Sequence, residues 1–403
     1  MERGIMTTAP RKALIIGAGI AGLATATLLR RAGFEAEVYE AWPEMTDIGG
    51  GLQIAPNGMH VLAELGLDGE VKRAGSVASG MTFHAQSGRT LGAINRNMET
   101  RFGQPAVNIR RGLLHDMLLS QARWHAVDVR FGKRLVGVDD LPGQPLQARF
   151  NDGSSADGDF LIGADGVHST ARACVLPHGP QPFDTGLVGF GGFIPRALLD
   201  EYDVGHDVRM TFGRTGCFGY GFCGPDPASG AMWWSTQPAG GLTASDYRAL
   251  GQREIKRHLR AIHGDWHQPI PDILDAVTDI VVTATLDVAS LPTWRRGRTV
   301  LVGDAAHATS PHAGQGASLA LEDASRLGRL VAAEEDLDMA FMRFEDQRRT
   351  RVERVVAVAR QNGNNKREFG VVGAFVRDQM IRVMLPMFAS RQDWMYDYDA
   401  RAA

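Results

Sequence analysis

A glycine pattern near the start of the chain constrains its fold more than any other feature. Gly17-Ala18-Gly19-Ile20-Ala21-Gly22 reads G-x-G-x-x-G, behind a short apolar run from Lys12 and at the head of a stretch, Ile20 to Arg31, with helical apolar spacing. Glu35 to Glu40 then alternates as a strand does. The pattern predicts a compact βαβ unit. In such a unit the first glycine permits a tight turn, the second lets backbone approach a pyrophosphate, and the third allows close helix–strand packing. The helix N-terminus is left as an anion site. Glu40 ends the second strand, where a carboxylate accepts from ribose hydroxyls and would repel a 2′-phosphate. The adenosine half held here is therefore NAD-like or belongs to FAD, and the motif alone does not choose between them.

Composition narrows the function classes. A chain of 403 residues with 44% hydrophobic content is long enough for more than one domain and a sizeable core. A formal net charge of -3, with no run of five like charges, provides no field for a polyanion, so nucleic acid is excluded as a partner. The uncharged stretch Ala13 to Leu29 carries three glycines and falls short of the roughly 20 apolar residues a bilayer span needs. Buried strand plus buried helix is expected there, without stable membrane insertion. Cys174, Cys217 and Cys223 form neither a complete disulfide set, nor a zinc template, nor a C-x-x-C pair. A reduced, cytoplasmic protein without a structural metal is expected, and a flavin-dithiol reductase is not.

Further along, residues 1–11 read as an unpinned polar terminus. Pro56 to Leu65 predicts a helix stopped by Gly66, Met81 to Leu91 a hairpin around Ser87-Gly88, and Arg110 to Gln121 a helix. Thr185 to Pro238 turns to glycine, aromatics and period-two alternation, the signature of an antiparallel sheet. Arg298 to Gly303 returns to a buried-strand pattern, followed by a predicted helix, Ala317 to Ala333. The expected class is α/β: a Rossmann-like domain (1–184, with strands near 80–105 lent to the second domain, and 276–335) interleaved with an antiparallel-sheet domain (185–275). A helical region (336–403), interrupted by Gly363, Gly370 and Gly373, follows. Val371 to Phe388 is apolar enough for an interfacial helix, but Arg377, Asp378 and Arg382 divide it, and packing on the body is expected.

Two later segments settle the choice left open by the first motif. They are Asp165-Gly166-Val167-His168-Ser169 through Arg172, and Gly303-Asp304-Ala305-Ala306-His307 through Gly316. With G-x-G-x-x-G, D-G-x-x-S-x-x-R and G-D-A-A-H-x-x-x-P-x-x-G-Q-G in order, the chain resembles the flavoprotein aromatic hydroxylases over nearly its whole length. Asp304, at a strand end, is placed to accept from ribityl hydroxyls, and Gly314-Gln315-Gly316 lets backbone approach the flavin's pyrimidine edge. The next helix aims its N-terminus at that edge, which stabilises the charge of reduced flavin by about 0.3 to 2 kcal/mol. The resemblance further implies that Asp165 serves the pyridine nucleotide and flavin sites. It makes Arg110 an FAD-contacting arginine, with Arg111 the alternative one register on, and sets Gly49-Gly50-Gly51 with Gln53 beside the isoalloxazine. It implies NAD(P)H as co-substrate, visiting a groove for want of a second G-x-G-x-x-G. O2 would then add at C4a of the flavin, and the hydroperoxide would hydroxylate a small aromatic or polycyclic substrate. An epoxidase, reductase or halogenase of the same fold, or a non-catalytic flavin binder, are the other readings, although Trp233-Trp234 does not match the W-x-W-x-I-P halogenase segment. Ala41, Ala308 and Ser318 depart from frequent family residues, and Ser318 puts the hydrogen bonding at the pyrimidine edge in question.

The substrate wall is expected from the antiparallel sheet. Val208, Met210 and Phe212 share one strand face, as do Phe218, Tyr220 and Phe222, with Met232 and Trp234 on another strand. Met210, Phe212, Tyr220, Phe222 and Trp234 are the candidates taken from these stripes, which could equally be plain core. His307 reads as structural, and neither it nor His312 has a carboxylate spaced for metal. Sequence leaves the oligomeric state open.

Overall fold

The computed structural model describes residues 10–44, 49–95, 97–364, 366 and 368–402, so most of the expected unpinned terminus lies outside the described residues. Among the described residues, six strands form the first sheet. Its order is Arg295–Arg296, Thr299–Leu301, Phe160–Gly163, Lys12–Ile16, Glu35–Tyr39 and Asp128–Arg130, parallel except for the first pair. Leu14, Ile15, Leu161, Ile162 and Val300 are fully buried, because helices cover a parallel sheet on both faces and the strands read as continuous apolar runs. Each such side chain contributes about 1.5 to 3 kcal/mol by leaving water. The helix Ile20–Arg31 follows the first strand and packs on the helix Gly316–Ala333, where a Cβ added at Gly328 would sit 3.4 Å from Leu28. Two segments some 300 residues apart thus build one domain around one core.

A second sheet, of seven described strands, runs in the order Val281–Asp287, Phe183–Ile194, Ala231–Pro238, Cys217–Phe222, Asp207–Phe212, Gly80–Ala85 and Thr90–Asn95. Only the Asp207–Phe212 and Gly80–Ala85 pair is parallel. The hairpin around Ser87-Gly88 therefore extends the sheet from outside the main segment. Val281–Asp287 extends it beyond residue 275 at the other edge, so the sheet's sequence boundary lies later than the composition change suggested. One face packs on the helices Ala244–Leu250, Gln252–His263 and Ile270–Ala276. The other looks toward the nucleotide-type domain. A small sheet, Gly51–Ile54 with Ala106–Arg110 and Ser76–Ala78, sits between them.

The C-terminal region is two long helices, Leu337–Asn364 and Val371–Arg391. Gly363 and Gly373 lie inside them and only Gly370 falls in the break, since packing overrides the helix cost of a glycine of about 1 kcal/mol. Arg348 anchors the first of these helices. Fully buried, it bonds Asp323 at 2.7 Å and Glu322 at 2.5 Å on the helix Gly316–Ala333. Breaking such a pair would leave a buried charge uncompensated, at about 3 to 5 kcal/mol.

Candidate active site

The glycine motif occupies the turn between the first strand and helix. Gly17 has φ +104°, and a Cβ there would sit 2.4 Å from the Ala164 carbonyl oxygen; one at Gly22 would sit 1.9 Å from the Gly17 carbonyl oxygen. Neither position admits another residue. A Cβ at Gly19 meets nothing within 4 Å, so its backbone faces open space at the helix N-terminus. Glu40 steadies this turn: Oε2 accepts from the Ala18 N–H at 2.8 Å and Oε1 from the Trp42 N–H at 3.0 Å. An ionised carboxylate has about four acceptor positions, so capacity for ribose hydroxyls remains. His115 adds a contact that sequence gave no motif for, its Nε2 lying 2.6 Å from the Ala18 carbonyl oxygen.

Across the groove, Gly303 takes φ +57° and turns the chain so that Asp304 opens outward while Ala305, Ala306 and His307 are buried. The surrounding protein raises the Asp304 pKa, opposed by the positive charges of His307, Arg111 and Arg172. Arg172 ties the second motif to the third, donating to the carbonyl oxygens of Ala305 at 3.2 Å and of Val167. Asp165 is engaged by its own loop: it accepts from the Ser169 hydroxyl, the Thr170 N–H at 2.7 Å and the Ala171 N–H at 3.0 Å. Burial raises its pKa and these bonds oppose the rise. Its visible work is to clamp the turn before the helix Thr170–Val175.

Gly314, at φ +62°, and Gly316, first residue of its helix, both face open space, since a Cβ at either meets nothing within 4 Å. Gln315 between them is buried and accepts from Asn57 at 2.9 Å; the same Asn57 amide donates to Glu322 at 2.6 Å. Ser318 accepts from the Ala55 N–H at 3.2 Å, and a Cβ at Gly58 would sit 2.7 Å from its hydroxyl oxygen. The small side chain at 318 therefore serves the contact with the helix Pro56–Leu65.

Arg110 and Arg111 part company at a strand–helix junction. Arg110 ends the strand Ala106–Arg110 and turns toward the seven-stranded sheet, donating to the Ser229 hydroxyl at 2.8 Å and lying 4.8 Å over the Phe193 ring. Arg111 opens the helix Arg111–Trp124 on the same face as His115, four residues on. Its side chain lies against Gly49, where a Cβ would come 3.2 Å from its Cδ, and its charge reaches Asp304. The structure thus puts Arg111 in the groove and Arg110 at the border with the sheet. The helix begins one residue later than periodicity implied, which exchanges the faces of the two arginines.

The same logic of faces divides the aromatic stripes. Met210 and Phe212 cluster with Val208, and Trp234 packs against them on the side toward the nucleotide-type domain. Met232 joins this side, for a Cβ at Gly51 would sit 2.1 Å from its sulfur. Tyr220 and Phe222, with Phe218, point the other way, into the core against the helices. They are corrected from wall to core: Tyr220 pairs with Arg209 and Gly219 with Met210, so the odd-numbered glycines of Cys217–Phe222 occupy the inner face. There they make room. A Cβ at Gly219 would sit 2.2 Å from Cζ2 of Trp234, whose indole lies flat across the strand.

His307 is structural, as its sequence setting indicated. Its Nε2 lies 2.6 Å from Asp323, which also accepts from the Gly303 N–H at 2.9 Å. Burial opposes ionisation of Asp323, but His307 and Arg348 more than offset it and hold its pKa at about 2. His312 lies 2.9 Å from the Lys366 ammonium, and burial with that charge pushes its pKa down to about 3. Among the described residues no three His, Cys, Asp or Glu side chains gather as a metal site.

The open backbone at Gly19, Gly314 and Gly316, with the outward Asp304 and Arg111, makes a groove that no side chain among the described residues fills at those glycines, fitting an extended dinucleotide. Comparison with known proteins agrees. The FAD binding domain family model matches residues 11–359. The chain belongs to the FAD-dependent aromatic hydroxylases. It is 30% identical to 6-hydroxynicotinate 3-monooxygenase of Bordetella bronchiseptica, over 86% of this chain and 90% of that one. It is 31% identical to FAD-dependent urate hydroxylase of Klebsiella pneumoniae, over 87% and 89%. A Klebsiella pneumoniae protein crystallised with FAD and uric acid superposes with a TM-score of 0.84, at 27% identity, covering 96% of this chain and 97% of the other. The chain is accordingly an FAD-dependent monooxygenase.

Proposed function

We propose that this hydroxylase uses NAD(P)H and O2 to hydroxylate a small, electron-rich aromatic or heteroaromatic ring held against Met210, Phe212, Met232 and Trp234. One observation carries the reading: an apolar face of Met210, Met232 and Trp234, cleared by Gly219, touches Gly51 at the edge of the dinucleotide groove. FAD, when bound, supplies the redox chemistry, accepting hydride and activating O2. The chain supplies position and dryness. Gly17, Gly19 and Gly22 shape the pyrophosphate turn, Glu40 meets the adenosine ribose, and Asp304 accepts from ribityl hydroxyls. Arg111 neutralises charge beside Asp304, and the helix N-terminus at Gly314 to Gly316 favours negative charge on the flavin ring. Trp234 and Met232 keep water from the reacting carbon. Arg110, bridging to Ser229, holds the sheet to the flavin side rather than binding the cofactor.

Ring-hydroxylated nitrogen heterocycles are the first class to test, because hydroxynicotinate and urate appear in the names of the relatives and a flat apolar wall accepts either shape. Hydroxypyridines, purines, hydroxybenzoates and quinolones should be screened with the FAD-loaded enzyme for stimulated NADH and NADPH oxidation, with hydroxylated product measured alongside. A panel that gives neither stimulation nor product, with FAD bound, refutes the reading.

A further inference from the structure

The helix Val371–Arg391 is mounted inside out. Its charged Arg377 and Asp378 face the protein: Arg377 donates to the Gly213 carbonyl oxygen at 2.6 Å, lies 5.5 Å over the Phe212 ring and bonds Asp378 at 2.8 Å. Asp378 also lies 3.6 Å from Arg89. On the same side Leu385 packs against the strand Thr90–Asn95, where a Cβ at Gly92 would sit 2.6 Å from it. These contacts fix the helix about its axis. Its outer side then presents Val371, Val372, Phe375, Val376, Met380 and Val383, each 48 to 76% exposed. Val372, Val376, Met380 and Val383 follow the i, i+4, i+8, i+11 row, so the stripe is continuous. A continuous apolar stripe this exposed, on a helix whose other side is fixed to the protein, marks a surface that a partner covers.

We infer that a second copy of this chain covers the stripe, in an antiparallel helix pair about a two-fold axis near Val376. Such an axis sets Val372 of each copy against Met380 of the other. Exposed Glu368, in the segment just before the helix, and exposed Arg382 lie on opposite sides of this axis, so the acidic end of each copy is turned toward the Arg382 end of the other. The two ends are thus of opposite sign in this arrangement. The six side chains expose on the order of 600 Å² per copy, so the pair removes about 1,200 Å², the lower edge of a stable interface. Through Ile381, which packs on the Val208, Met210 and Phe212 cluster, the pairing also steadies one wall of the substrate face.

Sedimentation velocity on the FAD-loaded full chain, from sub-micromolar to tens of micromolar, tests this. Wild type should sediment as a dimer. Val376→Glu, which sets like charges across the axis, should raise the dimer dissociation constant roughly a hundredfold. Glu368→Arg and Arg382→Glu should each weaken the dimer, and the double variant should restore it, with the flavin spectrum and circular dichroism confirming the fold throughout. A monomeric wild type overturns the inference, as does a dimer indifferent to Val376→Glu. Flotation of a monomeric wild type with phosphatidylglycerol or phosphatidylcholine vesicles would overturn it in favour of lipid.

Discussion

Gly219→Ala puts the inward face of the seven-stranded sheet to a quantitative test. The added methyl would sit 2.2 Å from Cζ2 of Trp234. Carbon atoms rest at about 3.5 Å or more, so ring and strand must separate by about 1.3 Å. Gly191, which pairs with Trp234 on the next strand, carries no side chain to hold the indole in place. The ring is therefore free to leave its position across Gly219, and the wall it forms is displaced. Overpacking of this kind costs about 1 to 3 kcal/mol in stability. A wall displaced by about 1 Å also lowers kcat/KM for ring hydroxylation by ten- to a hundredfold. Gly221→Ala is the internal control, on the same strand and face, where a Cβ comes no nearer than 3.6 Å to any neighbour. Urea unfolding gives the stability change, and the ratio of hydroxylated product to NAD(P)H consumed, with peroxide assayed in parallel, gives the coupling. Gly219→Ala should lower both while Gly221→Ala leaves coupling near wild type. Equal behaviour of the two variants would refute the placement of Trp234 on the substrate wall.

Asp304→Ala removes acceptors in the groove and should weaken FAD binding by about 1 to 3 kcal/mol, a ten- to hundredfold rise in Kd measured by fluorescence on the deflavinated protein. In the same titration Arg111→Ala should raise the Kd and Arg110→Ala should not; the reverse order would restore Arg110 to the cofactor. Tyr220→Ala should cost about 3 to 5 kcal/mol of stability as a core cavity while sparing the product ratio, whereas Trp234→Ala should uncouple. Acid should destabilise the fold early. Burial holds His263 neutral, with His258 adding to the effect, at a pKa of about 3, and burial with His267 and Arg209 holds His84 at about 4. The unfolded chain takes up these protons near pH 6.5 and the folded one does not. Stability is therefore full above that pH and falls by about 1.4 kcal/mol per unit per histidine below it, about 2 kcal/mol each by pH 5. Urea unfolding of wild type and His263→Gln at neutral pH and near pH 5 should show the variant losing about 2 kcal/mol less; an equal loss refutes the assignment.

The chain's own pattern determined the local chemistry of this protein. Gly17, Gly19 and Gly22, the turn at Gly303-Asp304 and the Gly314-Gln315-Gly316 loop could be placed because a glycine demanded by a positive φ or a close approach leaves a signature within a few residues. The hairpin around Ser87-Gly88 and the stop at Gly66 are legible for the same reason. Which side of an element faces the ligand is another matter. Arg110 and Arg111 are one residue apart, and a helix start shifted by one residue sends them to opposite borders. Tyr220 and Trp234 both read as aromatic wall, yet strand register put the first in the core and the second over Gly219 on the inner face. Val281–Asp287 joined the second sheet only through pairing with Phe183–Ile194, about a hundred residues earlier. Asp165 read as a ligand group, and only the folded chain shows that its carboxylate also binds its own loop. In each case a period of 2 or 3.6 establishes that two faces exist, while the choice between them rests on long-range contacts, and those form only when the two sheets and their helices close on one another.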